Sequence, residues 1–413
     1  MDTLPPELVV CIFGKLRCPL TLLDVVPLVC KQWRNLSKDP LAWASAELAW
    51  DGTDPKARKA SGLRFGSMRL ADSSGDEDDD VSAAWEKLKE DSLRVSTADA
   101  ARILLHAPAL NCINFCADMP EKGMKRLVNA LRRSRTVVTQ YFTVHEMTSW
   151  HMTLRGRSAL LDMMWRSRNH LVGATVQLSR QEDISDDVPA SKRGPLRDSQ
   201  GRTVLDVLAQ MPTLECLSLD ASWDYPYAGE LRGKLPRLRK LFMNRGDGGI
   251  CGERLVCDLI DGAAATLAGL DLNRDYGRPQ DSILRHPRIP DYRAAVTPAL
   301  MASVAGCKRL SFLEGPAALA PHLPSMPALA ELVLHLYPER QRAEEAIKRV
   351  FDACERVAKL TFLELWVNRD NDEECFLVEA RWHELKNEEL RCKKLVKDFK
   401  TKRPTVELNF NFH

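Results

Sequence analysis

"LECLSL", from Leu214 to Leu219, decides the fold because the chain keeps returning to it. The same Leu-x-x-Leu-x-Leu spacing recurs at "LRKLFM" (Leu238–Met243), "LAGLDL" (Leu267–Leu272), "LAELVL" (Leu329–Leu334) and "LTFLEL" (Leu360–Leu365). Weaker copies stand at "LNCINF" (Leu110–Phe115), "LVGATV" (Leu171–Val176), "LSFLEG" (Leu310–Gly315) and "TVELNF" (Thr405–Phe410), and "VVTQYF" (Val137–Phe142) is the poorest. The final Leu-x-Leu alternates as a strand does, so the leucines point to one side and the residues between them to the other. Most copies follow a helical stretch, such as "DAARILLHAP", "TVLDVLAQMP", "EAIKRVFDACERVA" or "LVKDFKTKRP". One helix–strand unit cannot bury its apolar side alone, so the copies are expected to stack. Their anchors lie roughly 19 to 45 residues apart, wider than regular repeats allow. Inserted loops account for the excess, for example Arg274–Tyr292 and Gln181–Gly201.

This array resembles leucine-rich repeats of the irregular, helix-containing kind. The resemblance implies an α/β solenoid over residues 98–413 with a parallel β-sheet on its concave face. A globular α/β domain with a doubly wound sheet is the alternative, and shape separates the two. In a solenoid the residues between the leucines line the concave face. Those positions are Ser218 and Asp220, Phe242 and Asn244, Asp271 and Asn273, Val333 and His335, and Glu364 and Trp366. Phe242 and Trp366 are aromatic where alternation predicts a wet surface, and exposed aromatics are common interface anchors. A tryptophan beside a long loop is equally well explained by that loop covering it. Asp220, Asp271 and Glu364 favour a partner that is basic or rich in hydrogen-bond donors.

The N-terminus reads differently. "LPPELVVCIFGKL" (Leu4–Leu16) opens with two prolines, which suit a first helical turn whose N–H groups lack partners anyway. Glu7 lies near the positive end of the helix dipole. Leu8, Ile12 and Leu16 recur at four-residue spacing, with Val9 and Phe13 widening the stripe. Thr21 and Asp24 have the spacing of a capping box, and Leu22, Val25, Val26 and Val29 carry the apolar face onward until Pro27 kinks or ends the helix. A third helix is expected to hold Val29, Trp33 and Leu36 on one face before Asp39-Pro40 stops it. Three short helices hide little surface among themselves, and so small a module needs help to fold.

In order, spacing and residue type, residues 3–43 resemble an F-box. Pro27 and a long "RCPLT" connection depart from the pattern. The resemblance implies an F-box over residues 1–48 that docks on the Skp adaptor, and through it on cullin and RING subunits. It assigns Leu4, Pro5, Leu8, Ile12, Phe13, Leu16, Leu23, Val29, Cys30 and Trp33 to that interface or its support. Ile12 and Trp33 are equally readable as core of the module.

Residues 49–97 read as a linker. "ADSSGDEDDDVS" is acidic with no apolar residue from Asp72 to Asp80, so Asp72–Ser82 is expected to be a disordered loop. Ser73 and Ser74 there have acids three residues downstream. Across all 413 residues, 59 lysines and arginines against 57 acids leave a net charge of +2, which argues against nucleic acid as the main partner. No apolar run reaches a membrane span, and the N-terminal stretch has the wrong flanks for a signal peptide. Twelve cysteines stand scattered without a paired framework, which suits a reducing cytoplasm or nucleus. No phosphate loop, nucleophile elbow, metal helix or calcium loop is present, so no catalytic residue, metal or cofactor is expected. The expectation is a substrate receptor of a Skp–cullin–F-box ubiquitin ligase. The alternative is an F-box scaffold that joins proteins without delivering them for modification.

Overall fold

The computed structural model describes residues 4–50, 95–115, 121–144, 154–178, 197–221, 227–245, 253–274, 297–336, 343–367 and 378–412. The expected loop Asp72–Ser82, with Ser73 and Ser74, lies outside them, as do most of both inserted loops. Two compact units are present, Met1–Thr213 and Leu214–His413.

The first unit begins with α1 (Pro6–Phe13), which starts on Pro5 and carries Glu7 in its first turn. Its end is tight: a Cβ on Gly14 would meet the Leu41 carbonyl oxygen at 2.7 Å, so only glycine fits there. Thr21–Val25 forms a π-helical turn, followed by α2 (Val26–Val29) and α3 (Lys31–Leu36). The expected capping box at Thr21 does not form. Asp24 turns instead to Arg102 of α4 (Thr97–His106). Pro27 does not end the helix: the π-helical turn runs into α2 without a break, and Pro27 falls in the first turn of α2. Val29 and Trp33 do not share a helix, because Cys30 between them is extended and its Sγ accepts the Trp33 N–H at 3.4 Å. Asp39 caps the 3₁₀ turn Pro40–Trp43, and the buried Trp43 indole donates to the Ser37 carbonyl at 2.7 Å.

That module runs straight into a strand, β1 (Glu47–Trp50), which pairs in parallel with β2 (Ala109–Phe115). The expected boundary at residue 49 falls inside this strand. Arg17 holds its start from both sides: its carbonyl accepts the Glu47 N–H at 3.0 Å, and its guanidinium forks onto both Glu47 carboxylate oxygens at 3.1 Å. The strand's other end is tied to α4. Ala49 accepts the Val95 N–H at 3.1 Å, and the buried Trp50 indole donates to Thr97 at 3.2 Å. Helix–strand units then repeat: α5 (Glu121–Arg133) precedes β3 (Val137–Val144), and α6 (Leu154–Ser167) precedes β4 (Gly173–Leu178). β1 to β4 pair parallel in chain order. Leu48, Ile113, Phe142 and Ala174 align across them and are all buried. "VVTQYF" is the poorest copy for a geometric reason. The register between β2 and β3 shifts after Leu110, so one extra residue separates Val138 from Phe142. A short α7 (Val204–Leu208) with a complete Thr203/Asp206 capping box closes the unit.

Among the described residues, the second unit carries seven parallel strands: β5 (Cys216–Ala221), β6 (Lys240–Arg245), β7 (Gly269–Arg274), β8 (Phe312–Pro316), β9 (Glu331–Leu336), β10 (Phe362–Val367) and β11 (Glu407–Phe412). They too pair in chain order. The fourth residue of each copy falls in one ladder: Leu217, Leu241, Leu270, Leu313, Leu332, Leu363 and Leu408. All seven are buried, and each contributes roughly 1.5–3 kcal/mol by leaving water. The helices α8 (Glu253–Ala263), α9 (Pro298–Gly306), α10 (Ala343–Cys354) and α11 (Val378–Lys402) return the chain between strands, while a 3₁₀ segment, Ala317–Ser325, does so before β9. Gly315 replaces the last leucine of its copy because a Cβ there would press Leu319 of that segment at 3.0 Å. α10 and α11 meet through stacked Phe351 and Phe399, and the Arg403 guanidinium donates to the carbonyls of Cys354, Glu355, Val357 and Leu360. Mixed α/β structure with parallel strands is thus the architecture of both units.

Candidate functional site

Two surfaces collect the residues singled out in the sequence. The first belongs to the N-terminal helices. α1 has two apolar sides: Val9, Val10 and Phe13 face inward, whereas Leu8 and Ile12, with Leu4 just ahead of the helix, lie outside, Ile12 with 53% of its surface exposed. Phe13 packs edge to face against Trp33 at 5.0 Å between ring centroids, so these two support the surface rather than form it. Leu16, Leu23 and Trp33 are half-buried, while Pro5, Val29 and Cys30 are exposed. The expected single face of Leu22, Val25, Val26 and Val29 divides likewise, with Leu22 and Val26 buried and Val25 and Val29 in solvent.

Sequence reasoning missed the most exposed members. Leu28, at 79%, and Leu41, at 69%, stand beside Pro27 and Pro40 at helix starts, where no periodic stripe picks them out. A small module that buries one apolar set and presents another is equipped for a partner, since exposed apolar patches mark binding surfaces. Residues 1–48 match the F-box-like family. The F-box-like module therefore spans α1 to the first residues of β1. It assigns this end of the chain to protein–protein interaction. The comparison with curated proteins gave no match.

The second surface is the sheet side of the second unit that carries the residues between the leucines. One row reads Ser218, Phe242, Asp271, Glu314, Val333, Glu364 and Asn409, each directly opposite the next. Ser218, Asp271 and Val333 are buried, and Phe242 and Glu364 are half-buried. The next row includes Pro316, His335, Trp366 and Asn411. Asp220 and Asn244 pair in register, but a shift beyond Phe242 brings Arg274, not Asn273, opposite Asn244. The side chains of Asp220, Asn244 and Asn273 lie outside the described residues.

Three of these residues, His335, Glu364 and Trp366, interlock with two that the sequence reading left out. His335 Nε2 lies 3.1 Å from Glu314 Oε1, and the His335 and Trp366 rings stack at 6.2 Å with 7° between their planes. Asn411 donates to Glu364 Oε1 at 2.9 Å. Burial raises the Glu364 carboxyl above its ordinary range and nearby Glu314 adds to the rise, while bonds from Asn411 and Trp366 and the neighbouring His335 pull it back. Glu314 and Asn411 escaped notice because one sits in "LSFLEG" and the other directly follows "TVELNF", both weaker copies of the leucine pattern. Among the described residues, no group of three metal-ligating side chains comes together.

Proposed function

We propose that this chain is the substrate-recognition subunit of a Skp–cullin–F-box ubiquitin ligase. The F-box-like module docks on the Skp adaptor, which carries cullin and RING subunits, and the helix–strand units, read as irregular leucine-rich repeats, hold a protein target. The chain itself performs no chemistry. It raises the effective concentration of target lysines near the ubiquitin-carrying end of the complex. It works in the cytoplasm, the nucleus or both, where its free thiols stay reduced.

The observation that carries this reading is the outward apolar set Leu4, Leu8, Ile12, Leu28 and Val29 on a module whose inward set is already packed. Ile12→Glu and Leu28→Glu place charge on that outer set without touching the Phe13–Trp33 core. Both variants are expected to lose co-purification with the adaptor while remaining folded. Adaptor binding that survives both changes sinks the docking reading. If the adaptor comes down but cullin and RING subunits never accompany it, the scaffold reading replaces the ligase one.

A further inference from the structure

We propose that Glu314, Val333 and Glu364, with the stacked His335 and Trp366 beside them, form a slot for an arginine side chain of the protein target. The inference rests on reading this side of the sheet as the target-binding face. Glu314, Val333 and Glu364 lie on successive strands β8, β9 and β10 in direct register. The two carboxylates therefore stand two strand spacings apart, roughly 10 Å at the backbone. Between them the floor is apolar and buried, a bed for the methylene stem of a long side chain.

Each carboxylate is oriented by a neighbour, Glu314 by His335 and Glu364 by Asn411. Neither has a lysine or arginine partner among the described residues. Burial and mutual repulsion make the second negative charge unfavourable, as the raised Glu364 carboxyl records, and an arriving cation reverses that cost. The half-buried Trp366 and its stacked imidazole add flat aromatic surface alongside. A flat, permanently charged group with paired donors satisfies carboxylates and ring faces together, and that group is guanidinium rather than ammonium.

The test uses the full chain co-purified with its adaptor and an array of immobilised peptides. Each peptide carries a fixed central arginine, lysine or citrulline on a degenerate background. Retention on the arginine peptides is expected to exceed that on lysine and citrulline. Glu364→Gln and Trp366→Ala are each expected to weaken it about tenfold, the scale of losing one charge-assisted contact. Equal retention on arginine and lysine or citrulline, no retention on any peptide, or full retention by Glu364→Gln overturns the slot. Glu364→Gln is near-isosteric, so its result stands even if Trp366→Ala fails to fold. Adaptor binding is read in the same samples. Its loss with arginine preference intact overturns the ligase reading alone, and the converse overturns the slot alone.

Discussion

Phe13 and Trp33 meet edge to face at 5.0 Å, while Ile12, one residue before Phe13, lies more than half exposed. Adjacent positions on one short helix thus do opposite jobs. Phe13→Ala opens a cavity in the module and is expected to cost about 3–5 kcal/mol. Ile12→Glu is expected to stay within about 0.5 kcal/mol of the parent, as surface changes do. Urea unfolding of the two variants, alongside adaptor pull-down, separates a folding defect from a docking defect.

The cysteines supply a footprint of the same surface. Cys11 and Cys30 are exposed on the module, whereas burial pushes the Cys307 and Cys354 thiols up to about 12 and Cys112 higher still. A maleimide pulse at pH 7.5 to about 8 is expected to label Cys11 and Cys30 and to spare the three buried thiols until denaturant is added. Saturating adaptor is expected to protect at least one of the two exposed sites, as read by peptide mass spectrometry.

Glu364 ties stability to pH in an unusual direction. Its carboxyl is raised in the folded chain, so the folded state binds a proton more readily than the unfolded state. Stability from this group therefore falls as pH climbs past the ordinary carboxylate range and is restored on acidification. Glu364→Gln is expected to raise the melting temperature slightly at pH 7, with the gain vanishing near pH 4. Thermal melts across that window test the sign. A destabilising substitution at neutral pH contradicts it.

Trp50 and Val95 are held side by side, because Ala49 accepts the Val95 N–H and Trp50 reaches Thr97. Replacing residues 56–90 by a short glycine–serine link is expected to preserve adaptor binding and to shift the melting temperature by no more than about 2 °C, since closing a shorter loop costs little. A large loss of stability means that segment packs on the unit.

The leucine spacing made most strands legible before any coordinates, because three buried positions in six fix both face and register. What it left out follows from the same logic. Glu314 and Asn409 sit in copies where Gly315, or Thr405 and Phe410, stand in leucine positions, and Asn411 directly follows the second of these, so none was sought. Within the F-box-like module, the error lay in carrying one helical period through Thr21–Val25 and Cys30. The π-helical turn over Thr21–Val25 breaks the 3.6-residue period, so Val25 and Val29 lie in solvent while Leu22 and Val26 are buried, and the extended Cys30 then separates Val29 from Trp33.

β1 also has a consequence for anyone who cuts the chain. Glu47–Trp50 occupies the outer side of β2, and its pairing consumes backbone groups that otherwise face water as an open edge. The new edge is β1 itself, and it is partly satisfied because the Arg17 carbonyl takes the Glu47 N–H and the Ala49 carbonyl takes the Val95 N–H, so the F-box-like module doubles as an end cap for the first unit. A truncation that starts after Trp50 strips off that cap together with the F-box-like helices. Its failure to bind the adaptor then mixes lost contact with self-association, so single changes such as Ile12→Glu are the cleaner way to disconnect this protein from its partners.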